Sequence, residues 1–263
     1  MSVAPRYRLA GVSAGYGAQE VLSGVDLTLS PGRVVALLGE NGSGKTTLLK
    51  LLAGLVPTRA GEVLLDGRPL SRFSRQEAAL TIGYLPQSFE PFFPASAWEL
   101  ALLGRTPRLG RFGAPREVDR RAVADALEEA DAASLAGRDV RAMSGGERQR
   151  VFIARVLAGG TPILLLDEPT GNLDPRHRFL VADVARRRAE RGGLVVLSTH
   201  ELDVAAAASD DAVLLRGGRV LASGPSADTL TAPLLSTLFG VAARVTAGED
   251  GRPLVSLARP GRG

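Results

Sequence analysis

The residues best suited to chemistry form one short segment that follows residue 38. In chain order they are Gly39, Glu40, Asn41, Gly42, Ser43, Gly44, Lys45 and Thr46, with Thr47 next, and they fit the pattern G-x-x-x-x-G-K-[ST]. Glycines in this pattern let backbone amides point at phosphate oxygens. The lysine reaches the terminal phosphates, and the final hydroxyl binds magnesium. The segment therefore predicts a site for the phosphates of a nucleotide.

The surroundings of this segment support the same interpretation. An apolar run at residues 34–38 is typical of a strand, and the leucine-rich residues 48–55 indicate a helix whose positive end would face the phosphates. A glycine-rich turn entering any helix is the alternative. However, Lys45 and Lys50 are the only lysines among 32 basic residues, and one of them occupies the position that the chemistry requires.

Two adjacent acids, Asp167 and Glu168, follow a second apolar run at residues 163–166. A buried strand would deliver both carboxylates at its tip, beside the phosphate segment. There Asp167 would bind magnesium through water, and Glu168 would orient and deprotonate an attacking water. Alone, such a pair is equally consistent with a helix cap or a solvated turn. Together with the phosphate segment, it predicts nucleotide hydrolysis.

The segment Ser144-Gly-Gly-Glu147 predicts a second anion site. Serine followed three residues later by glutamate is a capping box, which places Ser144 at the start of a helix. The first turn of a helix has free amide donors, and the glycines permit close backbone approach. One chain would then hold two separate anion sites.

The order of the elements predicts an α/β fold. Strand-like runs occur at residues 7–12, 25–29 and 61–67, and later at 82–85, 163–166, 194–197 and 212–215. The last two follow helical patterns, which favours a parallel sheet. Residues 93–160 are expected to be mostly helical, with a capping box at Ser96, a helix at 115–130 and a loop at 105–116. Residues 259–263 are expected to be disordered.

Composition restricts the function classes. The 263 residues allow one sizeable core with an inserted lobe or two modest domains, and the absence of cysteine excludes disulfides and thiolate chemistry. We expect neither a secretory signal nor a membrane span. The net charge of +4 suits a polyanionic ligand, an anionic membrane or nucleic acid, although the arginines are scattered along the chain.

With Met143-Ser-Gly-Gly-Glu147 in the place of Leu-Ser-Gly-Gly-Gln, the chain resembles the ATP-binding cassette (ABC) family from about residue 6 to residue 240. The resemblance implies the ABC form of the P-loop NTPase fold. That fold has a mostly parallel sheet core, an N-terminal antiparallel β subdomain and an inserted α-helical subdomain. It further implies an ATP-binding domain at 1–240, with the core and β subdomain at 1–87 and 161–240 and the helical subdomain at 88–160. A C-terminal extension follows at 241–263.

The resemblance also implies site roles. Tyr16 would stack on adenine, Gln87 would sense magnesium and the membrane partner, and Asp174 would belong to a dimer-contact loop. His200 would be catalytic beside the γ-phosphate, together with Lys45 and Glu168. Taken singly, the aromatic is also consistent with packing, the glutamine with a polar loop and the histidine with a helix cap. The implied metal ligands are Thr46, Gln87 and Asp167.

In the head-to-tail dimer of this family, the helix start of one subunit covers the γ-phosphate bound by the other. The residues implied in this role are Ser144, Gly145, Gly146 and Glu147. Glu147 departs from the usual glutamine, so we assign it a capping role. The replacement of leucine by Met143 conserves volume. His177, in an expected surface helix, receives no role.

The resemblance implies an ATPase subunit that uses ATP and Mg²⁺. It would act as a homodimer of cassettes on membrane permease subunits with an extracytoplasmic solute-binding protein, at the cytoplasmic face of the membrane. Residues 103–107, 147–150 and 238–241 resemble importers of iron-siderophores, haem and cobalamin. Residues 89–98 would line the groove for a permease helix, and core packing is the alternative for Trp98.

Two rival functions remain open at this stage. A soluble ABC ATPase acting on nucleic acid or the ribosome would explain the positive charge, although the two cassettes, coiled coils and zinc inserts of such proteins are missing from the sequence. A different phosphate-loop enzyme, such as a kinase, would explain Lys45 and Asp167 but not the segment at Ser144 or His200. Copurification with a membrane protein favours transport, and ATPase stimulation by DNA or RNA favours the first rival; we expect no nucleic-acid partner.

Overall fold

The architecture comes from a computed structural model that describes residues 6–88, 94–109, 113–171, 173–248 and 253–258. Its strands, in chain order, are β1 (Tyr7–Tyr16), β2 (Gln19–Leu29), β3 (Arg33–Leu38), β4 (Thr58–Leu65), β5 (Arg68–Pro69), β6 (Ile82–Leu85), β7 (Ile163–Asp167), β8 (Leu194–Ser198), β9 (Asp211–Arg216), β10 (Arg219–Pro225), β11 (Ala243–Ala247) and β12 (Pro253–Leu257).

The α-helices lie between and after these strands. They are α1 (Lys45–Leu52), α2 (Arg75–Thr81), α3 (Ala97–Leu102), α4 (Thr106–Leu109), α5 (Glu117–Glu129), α6 (Gly145–Ala158), α7 (Pro175–Glu190), α8 (Leu202–Ala208), α9 (Ser226–Thr229) and α10 (Ala232–Phe239). None of the helices in the described ranges combines the length and apolarity that a bilayer crossing requires.

Within the described ranges, six strands form the central sheet in the order β10-β9-β3-β8-β7-β6. The pairs among β9, β3, β8, β7 and β6 are parallel, and β10 joins the edge antiparallel to β9. Strands β7 and β8 are buried along their whole length. Near-continuous apolar sequence is typical of strands covered on both faces, which explains why these runs were readable from the sequence.

A second sheet has the order β2-β1-β4-β5, and all of its pairs are antiparallel. Helix α1 packs in the core shared by the two sheets, where Leu48, Leu49 and Leu52 are buried beside residues of both. Tyr7 of β1 donates its hydroxyl hydrogen to the carbonyl of Leu52 at 2.8 Å. Helix α1 is therefore fixed at both its sides and its end.

A separate layer of helices covers the other face of the central sheet. Helices α3, α5 and α6 contact one another and enclose a core that includes Leu100, Val123 and Leu127, each at most 1% exposed. Helix α6 also contacts β6, so the layer is attached to the edge of the central sheet. The mostly parallel core, the antiparallel N-terminal sheet and the helical layer agree with the fold that the sequence predicts.

Several local expectations were wrong. The helix expected at 48–55 is α1, which spans Lys45–Leu52. The strand expected at 61–67 is β4, which spans Thr58–Leu65. Residues 105–116, expected as a loop, contain α4 after a 3₁₀ helix at Leu103–Arg105. This segment is helical because Arg105 is buried and held by hydrogen bonds. It donates to the Asp119 carboxylate at 3.0 Å and to the Ala158 carbonyl at 2.9 Å.

The C-terminal extension contains structure that the sequence interpretation missed. Strands β11 and β12 pair as an antiparallel hairpin. Val245 and Val255 pack against the apolar cluster that contains Leu235 and Leu238. The disorder expected at 259–263, and residues 89–93 of the expected permease groove, lie outside the described residues.

Candidate active site

The phosphate segment joins β3 to α1 and depends on two glycines. Gly44, at the cap of α1, has φ of 106°, in the left-handed region that side chains rarely adopt. A Cβ on Gly39 would lie 2.3 Å from the carbonyl oxygen of Leu215 and 2.5 Å from Oγ of Ser43. The turn is therefore restricted to glycine at both positions.

Lys45 is held inside this turn. Its Nζ donates to the carbonyl oxygens of Gly39 at 2.8 Å and Glu40 at 3.1 Å, and the residue is 6% exposed. Burial lowers the pKa of Lys45, while the carboxylates of Glu168 and Asp167 act in the opposite direction. The ammonium group is thus placed where desolvation strengthens its attraction to an anion.

Asp167 is the last residue of β7 and is 1% exposed. Its Oδ1 accepts a hydrogen bond from Ser198 Oγ at 2.7 Å, and its Oδ2 accepts one from the Tyr84 hydroxyl at 3.4 Å. Burial first, and then Asp167, raise the pKa of Tyr84, so the phenol stays a donor. Strands β6, β7 and β8 together fix the orientation of this carboxylate.

Glu168 has φ of 48°, a left-handed conformation that is uncommon for a residue with a side chain. Its backbone amide donates to Ser198 Oγ at 2.9 Å. Its Oε2 accepts from Gln87 Nε2 at 2.8 Å, and its Oε1 lies 2.6 Å from His200 Nε2. Gln87 and His200, which the sequence resemblance implied separately, therefore meet at the carboxylate of Glu168.

These groups surround a cavity of about 370 Å³. The cavity is lined by Val21, Asn41, Gly42, Ser43, Gly44, Lys45, Thr46, Thr47, Gln87 and Glu168. Tyr16, at the end of β1, is 46% exposed, and Lys50 Nζ of α1 lies 5.8 Å from the centre of its ring. The exposed ring of Tyr16, at the end of β1, is available for stacking.

The helix start at Ser144 has the capping box that the sequence predicts. Ser144 Oγ accepts from the Glu147 amide at 3.3 Å, and Glu147 Oε2 accepts from the Ser144 amide at 2.9 Å. Arg138 donates to the other oxygen of Glu147 at 2.5 Å. The Ser144 amide and the Arg138 guanidinium lower the pKa of Glu147 to about 2. The glutamate is thus occupied within its own chain.

A second cavity, of about 470 Å³, lies at this helix start. It is lined by Ser144, Gly145, Gly146, Glu147, Arg150, Leu173, Asp174 and His177. The lining shares no residue with the cavity around Lys45. The structure therefore brings Asp174 to the predicted second anion site and keeps that site separate from the first.

Sequence reasoning missed four residues that support these sites. Ser198 and Tyr84 hold Asp167 and left no sequence signal beyond their place at strand ends. Gln149 of α6 is buried and donates to the carbonyl of Pro169 at 2.9 Å. His177, expected on the surface without a role, is partly buried against Asp174. Side-chain pairings across distant segments carry no periodicity that a single sequence could show.

The charge on Glu147 gives a pH-dependent prediction. A carboxyl whose pKa is lower in the folded state stabilises the fold above its unfolded pKa of about 4.3 and loses that effect as pH falls through the folded value. We expect Glu147→Gln to lower Tm at pH 7, where the ion pair with Arg138 is lost, and the deficit to vanish as pH approaches about 2. Thermal melts of the variant and the wild-type chain between pH 7 and about pH 2 measure the difference in Tm. Glu128→Gln, on the exposed side of α5, is the control, and a deficit constant with pH would contradict the assignment.

Comparison with known proteins identifies the class to which this fold and these two cavities belong. Residues 22–171 match the ABC transporter family, and the chain belongs to that family. It is an ATP-binding and ATP-hydrolysing subunit, which confirms the resemblance drawn from the sequence.

The curated relatives are more specific. The hemin import ATP-binding protein HmuV of Streptomyces coelicolor is 45% identical over 229 residues, covering 87% of this chain and 81% of that protein. The protein of the same name from Thermobifida fusca is 42% identical over 252 residues, covering 94% of this chain and 87% of that protein.

Solved structures agree with the fold. A chain of a transporter assigned to the metal-chelate type, in an inward-facing conformation, superposes with a TM-score of 0.82 at 26% identity and covers 97% of this chain and 98% of its own. A dimeric ATP-binding cassette in a post-hydrolysis state, with ADP and Pi bound, superposes with a TM-score of 0.72 at 29% identity. The match covers 83% of this chain and 98% of that chain.

Proposed function

We propose that this chain is the ATPase subunit of an importer whose cargo is haem. The sequence resemblance left iron-siderophores, haem and cobalamin open. The hemin import proteins among its relatives, between 40% and 45% identical, favour haem. The cargo would not touch this chain, because the site described here binds a nucleotide.

The separation of the two cavities supports a dimer as the functional unit. Lys45 and Glu168 line one cavity, and Ser144 and Asp174 line the other. A helix start can stabilise phosphate charge only when its amides reach the phosphate. Two chains arranged head to tail would place the Ser144 helix of each over the γ-phosphate held by Lys45 of the other. We therefore propose a homodimer with two shared ATP sites.

Each side chain then has a role in hydrolysis. Lys45 balances the charge of the β- and γ-phosphates, and Tyr16 stacks on adenine. Glu168 accepts a proton from the attacking water, while Gln87 and His200 fix the two oxygens of its carboxylate at 2.8 and 2.6 Å. The amides at Ser144 act on charge that develops on the γ-phosphate, and such donors change kcat by about 10²–10³.

The oxygen donors near the phosphate turn fit Mg²⁺. Asp167, Thr46 and Gln87 would hold the ion, Asp167 through water, and the ion would neutralise charge on the β- and γ-phosphates. Among the described residues, no group of three or more acidic, histidine or cysteine side chains could hold a metal ion. This agrees with an ion held mainly by phosphates and water, since Mg²⁺ keeps several waters and uses few carboxylates.

The partner of this dimer would be a membrane permease that works with an extracytoplasmic solute-binding protein. We place the chain at the cytoplasmic face of the membrane, attached through the permease. The resemblance to importer ATPases implies a permease groove at residues 89–98, directly after Gln87 in the sequence and within the helical subdomain expected at 88–160.

A growth experiment tests the proposed cargo. Cells that carry the Glu168→Gln allele are expected to stop growing on haem as the sole iron source, while growth on a ferric siderophore and use of added cobalamin continue. The Glu190→Gln allele changes an exposed carboxylate at the end of α7 and should support growth on haem. Loss of siderophore or cobalamin use with growth on haem intact would contradict the haem assignment.

A further inference from the structure

A histidine outside the proposed catalytic set connects two parts of the second cavity. His177 lies in the first turn of α7, and its side chain is 15% exposed. Its Nδ1 lies 2.8 Å from each carboxylate oxygen of Asp174, and its Nε2 lies 3.1 Å from Oδ2 of Asp131. Each ring nitrogen therefore faces a carboxylate, and the two carboxylates belong to different segments of the chain.

Asp131 is itself fixed by the helix that begins at Ser144. It lies two residues after the end of α5, with φ of 52°. Arg150 of α6 donates to its Oδ2 at 3.0 Å and also to its backbone carbonyl. Arg150 and His177 thus meet at the same carboxylate oxygen. The resulting path runs from α6 through Arg150, Asp131 and His177 to Asp174.

This path completes a two-point attachment between α6 and the segment that carries Asp174. The first point is Gln149, which donates to the carbonyl of Pro169 at 2.9 Å in a buried position. The second is His177, on the other side of Asp174. The two points therefore lie on either side of Asp174 along the chain.

We propose that His177 is a positioning residue that fixes Asp174 relative to the Ser144 helix start, so that both approach the neighbouring subunit's nucleotide as one surface. The inference rests on the homodimer proposed above. Transition-state stabilisation depends on placement, and a shift of about 1 Å by a distant substitution can cost about 10²-fold in rate. His177 acts through Asp174 and Asp131, and it contacts no reacting atom.

Two conservative substitutions separate the two contacts. In His177→Asn the amide nitrogen takes the approximate place of Nδ1 and retains the contact with Asp174, whereas in His177→Gln it takes that of Nε2 and retains the contact with Asp131. Because Asp174 caps α7 through the backbone amide of residue 177, at 3.0 Å, the cap persists in both variants. We expect each to lower kcat by about 10- to 100-fold with KM for ATP changed less than about twofold.

A third variant tests the path itself. Asp131→Asn removes the shared carboxylate, and asparagine tolerates the left-handed backbone at this position. Combined with His177→Asn, it should lower kcat no further than either change alone, because both interrupt one path. Arg176→Ala, at the exposed neighbouring position on α7, is the matched control and should retain full kcat.

The outcomes separate this inference from the proposed dimer. ATP-driven dimerisation is measured in the Glu168→Gln protein, with Tm recorded for every variant. If that protein dimerises and the His177 variants keep wild-type kcat, the positioning role is overturned and the dimer stands. Additive losses in the double variant, or losses of kcat that follow a matching loss of Tm, also overturn it. If Glu168→Gln never dimerises with ATP, the dimer fails and the inference fails with it.

Discussion

Replacing Glu168 by glutamine is expected to lower ATP turnover by at least about 10², while ATP binding and ATP-driven dimerisation persist. The substitution removes the proton acceptor and keeps the shape of the side chain, including an oxygen that can accept from Gln87 Nε2. Glutamine meets the same backbone constraint as glutamate at φ of 48°, so local strain is unchanged. Phosphate release measures turnover, and size-exclusion chromatography with ATP measures the dimer.

The matched control for this prediction is Glu190→Gln, which removes a carboxylate from the exposed end of α7 and should leave turnover unchanged. Near-normal hydrolysis by Glu168→Gln would assign the base to another group, with His200 as the nearest alternative, 2.6 Å away. Loss of ATP binding together with turnover would instead show that the carboxylate shapes the phosphate turn.

Replacing Lys45 by alanine is expected to weaken ATP binding by about 10- to 100-fold, since hydrogen bonds to charged groups contribute about 1.5–3 kcal/mol. The substitution removes a buried cation from the cavity and leaves the carbonyls of Gly39 and Glu40 without the donor that now joins them. Isothermal titration calorimetry with ATP measures the affinity.

The chain offers a close control for this prediction. Lys50 is the only other lysine and lies on the same helix, so Lys50→Ala removes the same charge outside the phosphate turn. Because Lys50 Nζ lies 5.8 Å from the centre of the Tyr16 ring, we expect a small loss of affinity, well below the loss in Lys45→Ala. Equal affinities for Lys45→Ala and the wild-type chain would remove Lys45 from the proposed binding site.

The two acids at the end of β7 show how much of the site a local motif predicts. The apolar run before Asp167 predicted a buried strand that ends in two acids, and β7 is that strand. Which partners surround the acids depends on strand order, because β6 and β8 flank β7 and bring Gln87 and Ser198 to its end. Strand β8 follows β7 after one helix, but β6 lies before the helical layer, so its pairing with β7 is a long-range property that the motif does not contain.

Local patterns predicted less where tertiary contacts override them. The loop expected near Arg105 contains helices because a buried arginine is satisfied there by Asp119. The hairpin β11–β12 was not predicted because its strands are short and half exposed. Its apolar side packs on the cluster around Leu235. In both places the structure is stabilised by contacts with distant residues, which local propensity does not describe.

The sequence by itself determined the family, the phosphate turn, the two acids and the capped helix at Ser144. Each is a local pattern in which residue type and spacing dictate backbone geometry or hydrogen bonding within a few residues. Only the tertiary structure decided that Ser144 and Lys45 line separate cavities, and that His177 connects Asp174 to Asp131. The physical reason is that packing places residues 46 positions apart within hydrogen-bonding distance, and no short-range pattern encodes such a pairing.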